Sequence, residues 1–498
     1  MDNRTGLEKG TVGRTVAARL RAWLPKVFLV VPMILGLIGF SAINNGFTND
    51  QGQFDWQILL DAAFNCLTMY GLNYGREPDQ QWNVLLELAR WLAPVATASG
   101  LVMVFARLRS WVRRFVAHLS LNSTAVYGSP AEKAVLLEEL GPSGIDMGER
   151  FVRARRYILL GTEEENLALY GRYHEALKDR HVYLKTSALP AQKGSSDKLH
   201  LFSPEELAVR SFWKQHCPYD KSVAADHQMK IVLVGFGKLG RELLLSGLQY
   251  NIFHPKQRIE YHVFGDAEGF EATYWQLPQI SDPVVFYKES CFDHVPLLRQ
   301  ADMIIVAEQN DQLALVQKLT MAAPHQSIYV LAANMIGTQF LQGPVYYDWK
   351  SDTLHMEKIL GLRLNELAKR LNLHYAAQYP PEGETIEETD EYLEPQWAKL
   401  SSFHRYSNIS AAEFHDVCAR ILDDQELTAE RLDFLGELEH IRWCRYHYLN
   451  NWQYGPVRNN AQKIHHLLVP YEELSEGEKE KDRRNVKLLM ELNSKMQG

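Results

Sequence analysis

From Lys230 to Leu248 the chain reads KIVLVGFGKLGRELLLSGL: an apolar run of strand length, glycines spaced Gly235-x-Gly237-x-x-Gly240, then an apolar-periodic run of helical length. Each glycine has a separate physical task. The first lets the strand turn sharply, the second lets backbone approach a pyrophosphate, and the third lets helix lie close on strand. The next strand, IEYHVFGD, closes on Asp266, 26 residues past Gly240, where a carboxylate meets ribose hydroxyls. Further strands are predicted at Pro283–Tyr287, Met303–Ala307 and Ser327–Ala333. Alternating strand and helix predicts a doubly wound parallel sheet. The glycine pattern serves a bound nucleotide, NAD or another, and a bare scaffold equally well.

A chain of 498 residues needs more than one core. With 46% hydrophobic and 23% charged residues it is neither disordered nor fibrous, and a net charge of -8 argues against a general nucleic-acid binder. Its five cysteines (Cys66, Cys217, Cys291, Cys418, Cys444) form no C-x-x-C pair, which excludes a zinc ribbon and suits a reducing compartment.

Val27–Thr48 contains 22 residues without a charge. About 20 apolar residues cross a bilayer core, so a membrane span is predicted there. The run starts too late for a cleaved signal peptide, and no A-x-A site follows. A second span is predicted at Trp91–Ala106, extended backwards by Leu85, Leu86 and Leu88, with Trp82, Trp91 and Trp111 as interfacial aromatics. Residues 1–26 are basic, Arg107, Arg109, Arg113 and Arg114 form a second basic cluster, and 45–86 is mainly acidic. That asymmetry predicts a multi-pass protein of a bacterial inner membrane with both termini cytoplasmic.

Between the spans, Ile58–Leu67 is amphipathic and Thr68–Gly75 reads TMYGLNYG. Span, short helix, glycine loop and span resemble a two-span cation-channel subunit, in which loop carbonyls replace the ion's hydration shell. Thr68, Tyr70, Gly71, Tyr74 and Gly75 carry the likeness. Their order departs from Thr-Val-Gly-Tyr-Gly, so potassium selectivity is not implied, and an ordinary hairpin is the alternative. Two spans cannot enclose a pore, so a homotetramer is the simplest assembly.

Residues 120–222 read as a second, degenerate unit, with strands at Ser123–Gly128, Tyr157–Gly161, His181–Lys185 and Leu199–Phe202 but no glycine motif. Paired Rossmann-like units behind two spans resemble the RCK or TrkA-N modules of potassium channels, over about residues 120–340. The likeness implies a nucleotide at Gly235, Gly237, Gly240 and Asp266. No G-x-S-x-G, H-E-x-x-H or phosphate-loop lysine accompanies it, so an enzyme is not expected.

A helix over Leu354–Gln378 is predicted to close the second unit, followed by an acidic linker at Pro380–Pro395. Beyond it, helices are predicted within Arg405–Leu422 and from Leu435, and EELSEGEKEKDRR is predicted to be a solvated helix or loop. Arg405, Asn408, Arg442, Trp443, Trp452, Tyr454 and His465 suit a pocket for an anionic, ring-containing ligand, or else the aromatics are core. His440, Cys444 and His447 share one helical face and could with His465 ligate zinc, a weaker reading. Glu439, His440, Trp443, Trp452-x-Tyr454-Gly455-Pro456-Val457-Arg458, Lys463-x-His465 and Leu468-Val469-Pro470-Tyr471-Glu472-Glu473-Leu474 resemble the RyR domain, the repeat named after ryanodine receptors. The resemblance covers about 400–498 and implies sensing of a nucleotide-type signal.

The expected fold is therefore membrane α plus α/β: a basic segment (1–26), a two-span region (27–115), a degenerate Rossmann-like domain (120–222) and a TrkA-N-like Rossmann domain (228–378). A linker (379–400) and a mainly helical RyR-like domain (401–498) complete it. The expected function is a ligand-gated channel or pore-forming effector, its partners the lipid bilayer and a nucleotide-type ligand and not nucleic acid. The alternatives are a membrane-anchored sensor and, further off, an NAD-dependent enzyme.

Overall fold

The computed structural model describes residues 30–75, 81–98, 123–148, 150–186, 198–332 and 342–497. The chain divides into two compact units, Met1–Leu119 and Ser120–Gly498.

The first unit contains helices α1 (30–43), α2 (Trp56–Tyr70) and α3 (84–98). Small residues bring them together. A Cβ at Gly39 would lie 3.0 Å from the Leu86 backbone nitrogen, and one at Gly36 would lie 2.6 Å from Cys66 Sγ. Phe40, Ala62, Cys66, Met69, Leu86, Ala89 and Ala93 form the shared interior. The outer faces are apolar too: Val30, Ile34 and Ile38 on α1, Trp56, Leu60, Phe64 and Leu67 on α2, and Val84, Leu88, Trp91 and Val95 on α3 are exposed.

No helix among the described residues is long and apolar enough to cross a membrane. Among its described residues the first predicted span is helical from 30 to 43 and stops there, because Asn45, Gly46 and Phe47 take positive φ and Thr48 bridges to Phe54. Asn-Asn-Gly is turn chemistry, and it ends the helix inside the uncharged run. Residues 27–29 and 99–106, Trp111 and both basic clusters lie outside the described residues.

The second unit opens with five parallel strands: β1 (Thr124–Tyr127), β2 (Gly144–Asp146), β3 (Arg156–Leu159), β4 (His181–Lys185) and β5 (Leu199–Phe202). They are ordered β2-β1-β3-β4-β5, which puts the topological switch point between β1 and β3. Sequence reading missed β2, whose three residues are too short to show alternation. This order is that of the other common doubly wound sheet, so the first domain is not a copy of the second.

The second sheet comprises β6 (Gln228–Val234), β7 (Arg258–Phe264), β8 (Val284–Tyr287), β9 (Met303–Val306), β10 (Ile328–Ala332) and β11 (Val345–Asp348). All pairs are parallel, in the order β11-β10-β9-β6-β7-β8. This is the dinucleotide-binding order, with the switch point between β6 and β9. The sixth strand, β11, lies beyond Ala333, where the sequence reading had ended the sheet.

Helices α4 (Pro130–Leu140) and α5 (Glu163–Arg172) belong to the first sheet. Helix α6 (Pro204–Gln215) follows that sheet in sequence, but its Phe212 and Trp213 are buried in the core of the second, against α7 (Lys238–Tyr250). The predicted closing helix breaks at Gly361, where φ is +58°, leaving Met356–Leu360 and α8 (Leu362–Gln378). The predicted linker contains α9 (Asp390–Lys399), whose Leu393 packs with Leu373 of α8 and Ile386. Three acids of this stretch pair with α8 while remaining exposed: Lys369 holds Glu394, Arg370 reaches Asp390 at 3.1 Å, and His374 reaches Glu388 at 2.9 Å.

Helices α10 (Ser402–Leu422), α11 (Ala429–Leu449) and α12 (Glu476–Gln497) complete the unit. The acidic-basic run expected to be solvated begins α12, which buries Val486 and Leu489. The boundary predicted at residue 401 does not separate cores, since Phe414, Val417, Leu435, Leu438 and Val486 share one cluster with Leu243, Leu244 and Leu248 of α7.

Candidate functional site

At the switch point of the second sheet Gly235 and Gly240 make the close approaches expected of them. Gly235 has φ +96°, and a Cβ there would lie 2.4 Å from the backbone nitrogen of Glu308. A Cβ at Gly240 would lie 2.1 Å from the Gly235 carbonyl oxygen, so helix and loop touch backbone to backbone. Gly237 differs. It is the N-cap of α7 without a side-chain cap, it is exposed, and a Cβ there would meet nothing within 4 Å. The first N–H groups of α7 therefore face open space with the positive end of the helix dipole behind them. That is an anion cradle. Lys238 is exposed on the first turn, and the Arg241 guanidinium lies 5.8 Å from the centre of the Phe236 ring. Asp266 is exposed beyond β7, its Oδ1 accepting from the Glu268 N–H at 3.0 Å, which leaves the other oxygen for a ribose.

The equivalent positions of the first sheet are closed by their own side chains. Ser129 caps α4, and Thr162 and Glu165 cap α5 reciprocally. Buried Asn166 donates to the carbonyls of Gly161 and Lys185. No nucleotide was assigned there, and the geometry offers no open helix start at α4 or α5.

The pocket predicted in the C-terminal region is only partly assembled. Trp443, Trp452 and His465 do come together: Trp443 lies 4.9 Å from His465 and 3.9 Å from His447, ring centre to ring centre, and Trp452 stacks on Phe403 at 5.2 Å. Arg442 is not available to a ligand. It is 1% exposed, forks onto Glu439 at 2.7 and 2.8 Å, and donates to Ser410 Oγ at 3.1 Å. Arg405 turns to the Trp397 and Ala398 carbonyls, and Asn408 donates to the His404 carbonyl. Tyr454 is exposed on the surface.

Sequence reasoning passed over Arg458, although the Gly455-Pro456-Val457-Arg458 turn was in view. Burial pushes His465 down to about 4, and the Arg458 guanidinium adds to the effect; the same two causes lower His404. Arg458 is exposed and is thus the cation that faces this cluster. His447 is pushed down to about 3 by burial. Among the described residues no group of His, Cys, Asp and Glu could hold a metal ion, so the zinc reading of His440, Cys444, His447 and His465 fails. His440 has another role: its Nε2 lies 2.9 Å from the Val469 carbonyl and its Nδ1 3.4 Å from Asp482. Burial alone would lower His440, but Asp482 and Cys444 at the ring nitrogens outweigh it and raise it to about 11.

The predicted pore residues adopt a compact helix end. Thr68 and Tyr70 belong to α2, the Thr68 carbonyl accepts from the N–H groups of Gly71 and Asn73, and the Tyr70 carbonyl accepts from Thr97 Oγ1 at 3.0 Å. Tyr74 packs edge-on against Phe40 at 5.9 Å, and Gly75 ends the described segment.

The RyR domain family matches residues 423–496, so the chain carries a RyR domain at its C-terminal end, behind two parallel Rossmann-like sheets. No curated protein matches the chain. Among solved structures, a dipicolinate synthase subunit from Bacillus halodurans is 11% identical over 49% of this chain and 97% of its own, with a TM-score of 0.23. L-tryptophan dehydrogenase from Nostoc punctiforme is 12% identical over 66% of this chain and 88% of its own, also with a TM-score of 0.23. The fold assignment rests on strand order and the glycine turn, not on these distant likenesses.

Proposed function

We propose that the chain is a nucleotide-responsive membrane effector of a bacterial inner membrane. An adenine dinucleotide of the NAD class occupies the Gly237 cradle, the RyR domain takes a second nucleotide-type ligand, and homotetramers open a pore. The observation that carries the membrane assignment is the outward apolar face on each of α1, α2 and α3, combined with glycine and alanine contacts inside. Helices that pack through small residues and turn large apolar ones outward suit hydrocarbon surroundings. For the nucleotide, the support is the uncapped α7 with Asp266 beside it, a carboxylate that favours a free 2′-hydroxyl over a phosphate. No NAD turnover belongs to this proposal.

A membrane-anchored sensor without a pore is the second reading, favoured by the hydrogen-bonded carbonyls of Thr68 and Tyr70. Full-length protein in potassium-loaded liposomes separates the two. Efflux on adding NAD, an adenine nucleotide or both supports the pore; tight binding without efflux supports the sensor. Recovery of the full chain in the supernatant without detergent overturns both.

A further inference from the structure

A cavity of about 720 Å³ lies inside the second unit, away from the glycine turn and from the Trp443 cluster. Its walls come from α6, the end of α7, the segment from Glu357 to Leu367, and α10. The volume is that of a small-molecule site. Leu207, Trp213, Tyr250, Leu364, Leu367 and Val417 make most of the wall apolar.

The polar side of the cavity shows what is missing. Its cations are already matched: Arg210 holds Glu206 at 2.6 Å and Glu413 at 2.9 Å, Lys214 holds Asp416 at 2.5 Å, Arg420 holds Asp220 at 2.6 Å, and Lys358 holds Asp352. An anionic ligand would have to break these pairs. The unmet group is an acceptor, since Glu413 Oε2 is buried and has no hydrogen-bond partner among the described residues. A buried acceptor left without a donor is costly, so such atoms mark places where a donor is to be supplied.

We propose that this cavity is an effector site for a small organic molecule with an apolar body and a protonated amine, the body lying against the apolar wall and the amine reaching Glu413. Burial, reinforced by Glu206, pushes the Glu413 carboxyl up to about 7 despite Arg210, and an ammonium partner would restore its ionised form. The Glu413 side chain lines the cavity and is 14% exposed. Occupancy ties α6, α8 and α10 together, and those helices lead to both sheets and to the RyR domain. An effector there therefore favours one mutual arrangement of the three, which is coupling in the thermodynamic sense.

The test uses the full-length protein and tryptamine as the probe, with indole-3-propionate as a ring of the same kind and opposite charge. Calorimetry should show saturable tryptamine binding and at least about tenfold weaker binding of the acid, the scale of a charge-assisted hydrogen bond. Glu413→Gln, which keeps shape and removes charge, should weaken tryptamine by about tenfold or more. Leu364→Trp should abolish binding by filling the space. Tryptamine should also slow maleimide labelling of Cys217, which lines the cavity. If tryptamine does not saturate, if the acid binds equally well, or if Glu413→Gln binds like the wild type, the proposal is overturned, whether or not Leu364→Trp folds.

Discussion

At the switch point of the first sheet, Ser129 and the Thr162–Glu165 pair close the starts of α4 and α5; at that of the second, Gly237 leaves α7 open. Both regions are parallel sheets wrapped by helices, so sheet architecture does not decide which one binds an anion. The cap decides it. A helix start capped from within has fewer free N–H groups to offer, and one without a side-chain cap keeps them for water or a ligand. The second sheet differs in a further way, because the RyR helices lie on it. Arg445 of α11 donates to the Leu248 carbonyl at the far end of α7 at 3.0 Å and pairs with buried Asp282 at 2.7 Å. One helix thus has the cradle at its start and the RyR contact near its end, about 17 Å away at 1.5 Å per residue.

Removing that contact gives the largest expected effect. Arg445→Ala strands the Asp282 carboxylate, which otherwise accepts from the Ile259 N–H and Gln257, and should destabilise the second unit by about 3–5 kcal/mol. Chemical denaturation measures it, and a loss below about 1 kcal/mol would show that the RyR helices are not held by this pair. Next in size is Gly237→Asp. The new side chain has room, caps α7 as Thr162 caps α5, and repels a pyrophosphate. NAD affinity by calorimetry should fall about 100-fold, equivalent to about 2.7 kcal/mol, with the melting temperature kept. Unchanged affinity means that the cradle is scaffold only.

The RyR cover also predicts a pH dependence, to which His200 of β5, pushed down to about 4 by burial, adds in the same sense as His447 and His465. Unfolded histidine titrates near 6.5, whereas buried His447 and His465 stay neutral down to about 3 and about 4. Below about 6.5 the unfolded chain takes up protons that the folded one refuses, so this stability is complete above that pH and is lost as pH falls. His440, raised to about 11, acts in the opposite sense: its contribution is complete below about 6.5 and is lost as pH rises from there toward about 11. His465→Gln should flatten the acid limb by about one proton, or about 1.4 kcal/mol per pH unit, and leave the alkaline limb alone. An acid limb as steep as the wild type's would mean that His465 is protonated in the folded chain.

The glycine turn could be read in advance because its demands are local: Gly235 and Gly240 each answer to atoms close by, and Gly237 to open space at the helix start. The strands containing Val126, Ile158 and Ile231 were legible for the same reason, being short apolar runs bounded by turns. What escaped was long-range. Arg442 has the composition of a ligand contact, and only the fold reveals that Glu439 and Ser410 use all of it. The acids of Asp390–Lys399 look like a linker until α8 brings Lys369 and Arg370 against them. Arg210 and Glu413 are 203 positions apart, so no spacing rule would have paired them across the cavity. In Thr68–Gly75 the residue types suggested a filter, and only the fold shows the Thr68 and Tyr70 carbonyls accepting hydrogen bonds within the chain.

The smallest expected effect tests the cap argument from the side of the first sheet. Thr162 Oγ1 accepts from the Glu165 N–H, and Glu165 returns the bond to the Thr162 N–H at 2.9 Å. Thr162→Ala removes half of this exchange and should cost about 1 kcal/mol, read as a shift in the denaturation midpoint. A freed helix start alone does not make a nucleotide site, because Asn166 still fills the space behind it and a Cβ at Gly161 would lie 2.9 Å from the Asn166 amide oxygen. NAD stoichiometry should therefore stay at one per chain in Thr162→Ala and drop to none in Gly237→Asp. A second equivalent of NAD bound by Thr162→Ala would show that capping alone keeps the first sheet empty. The two sheets would then differ by one side chain rather than by the shape of the crevice.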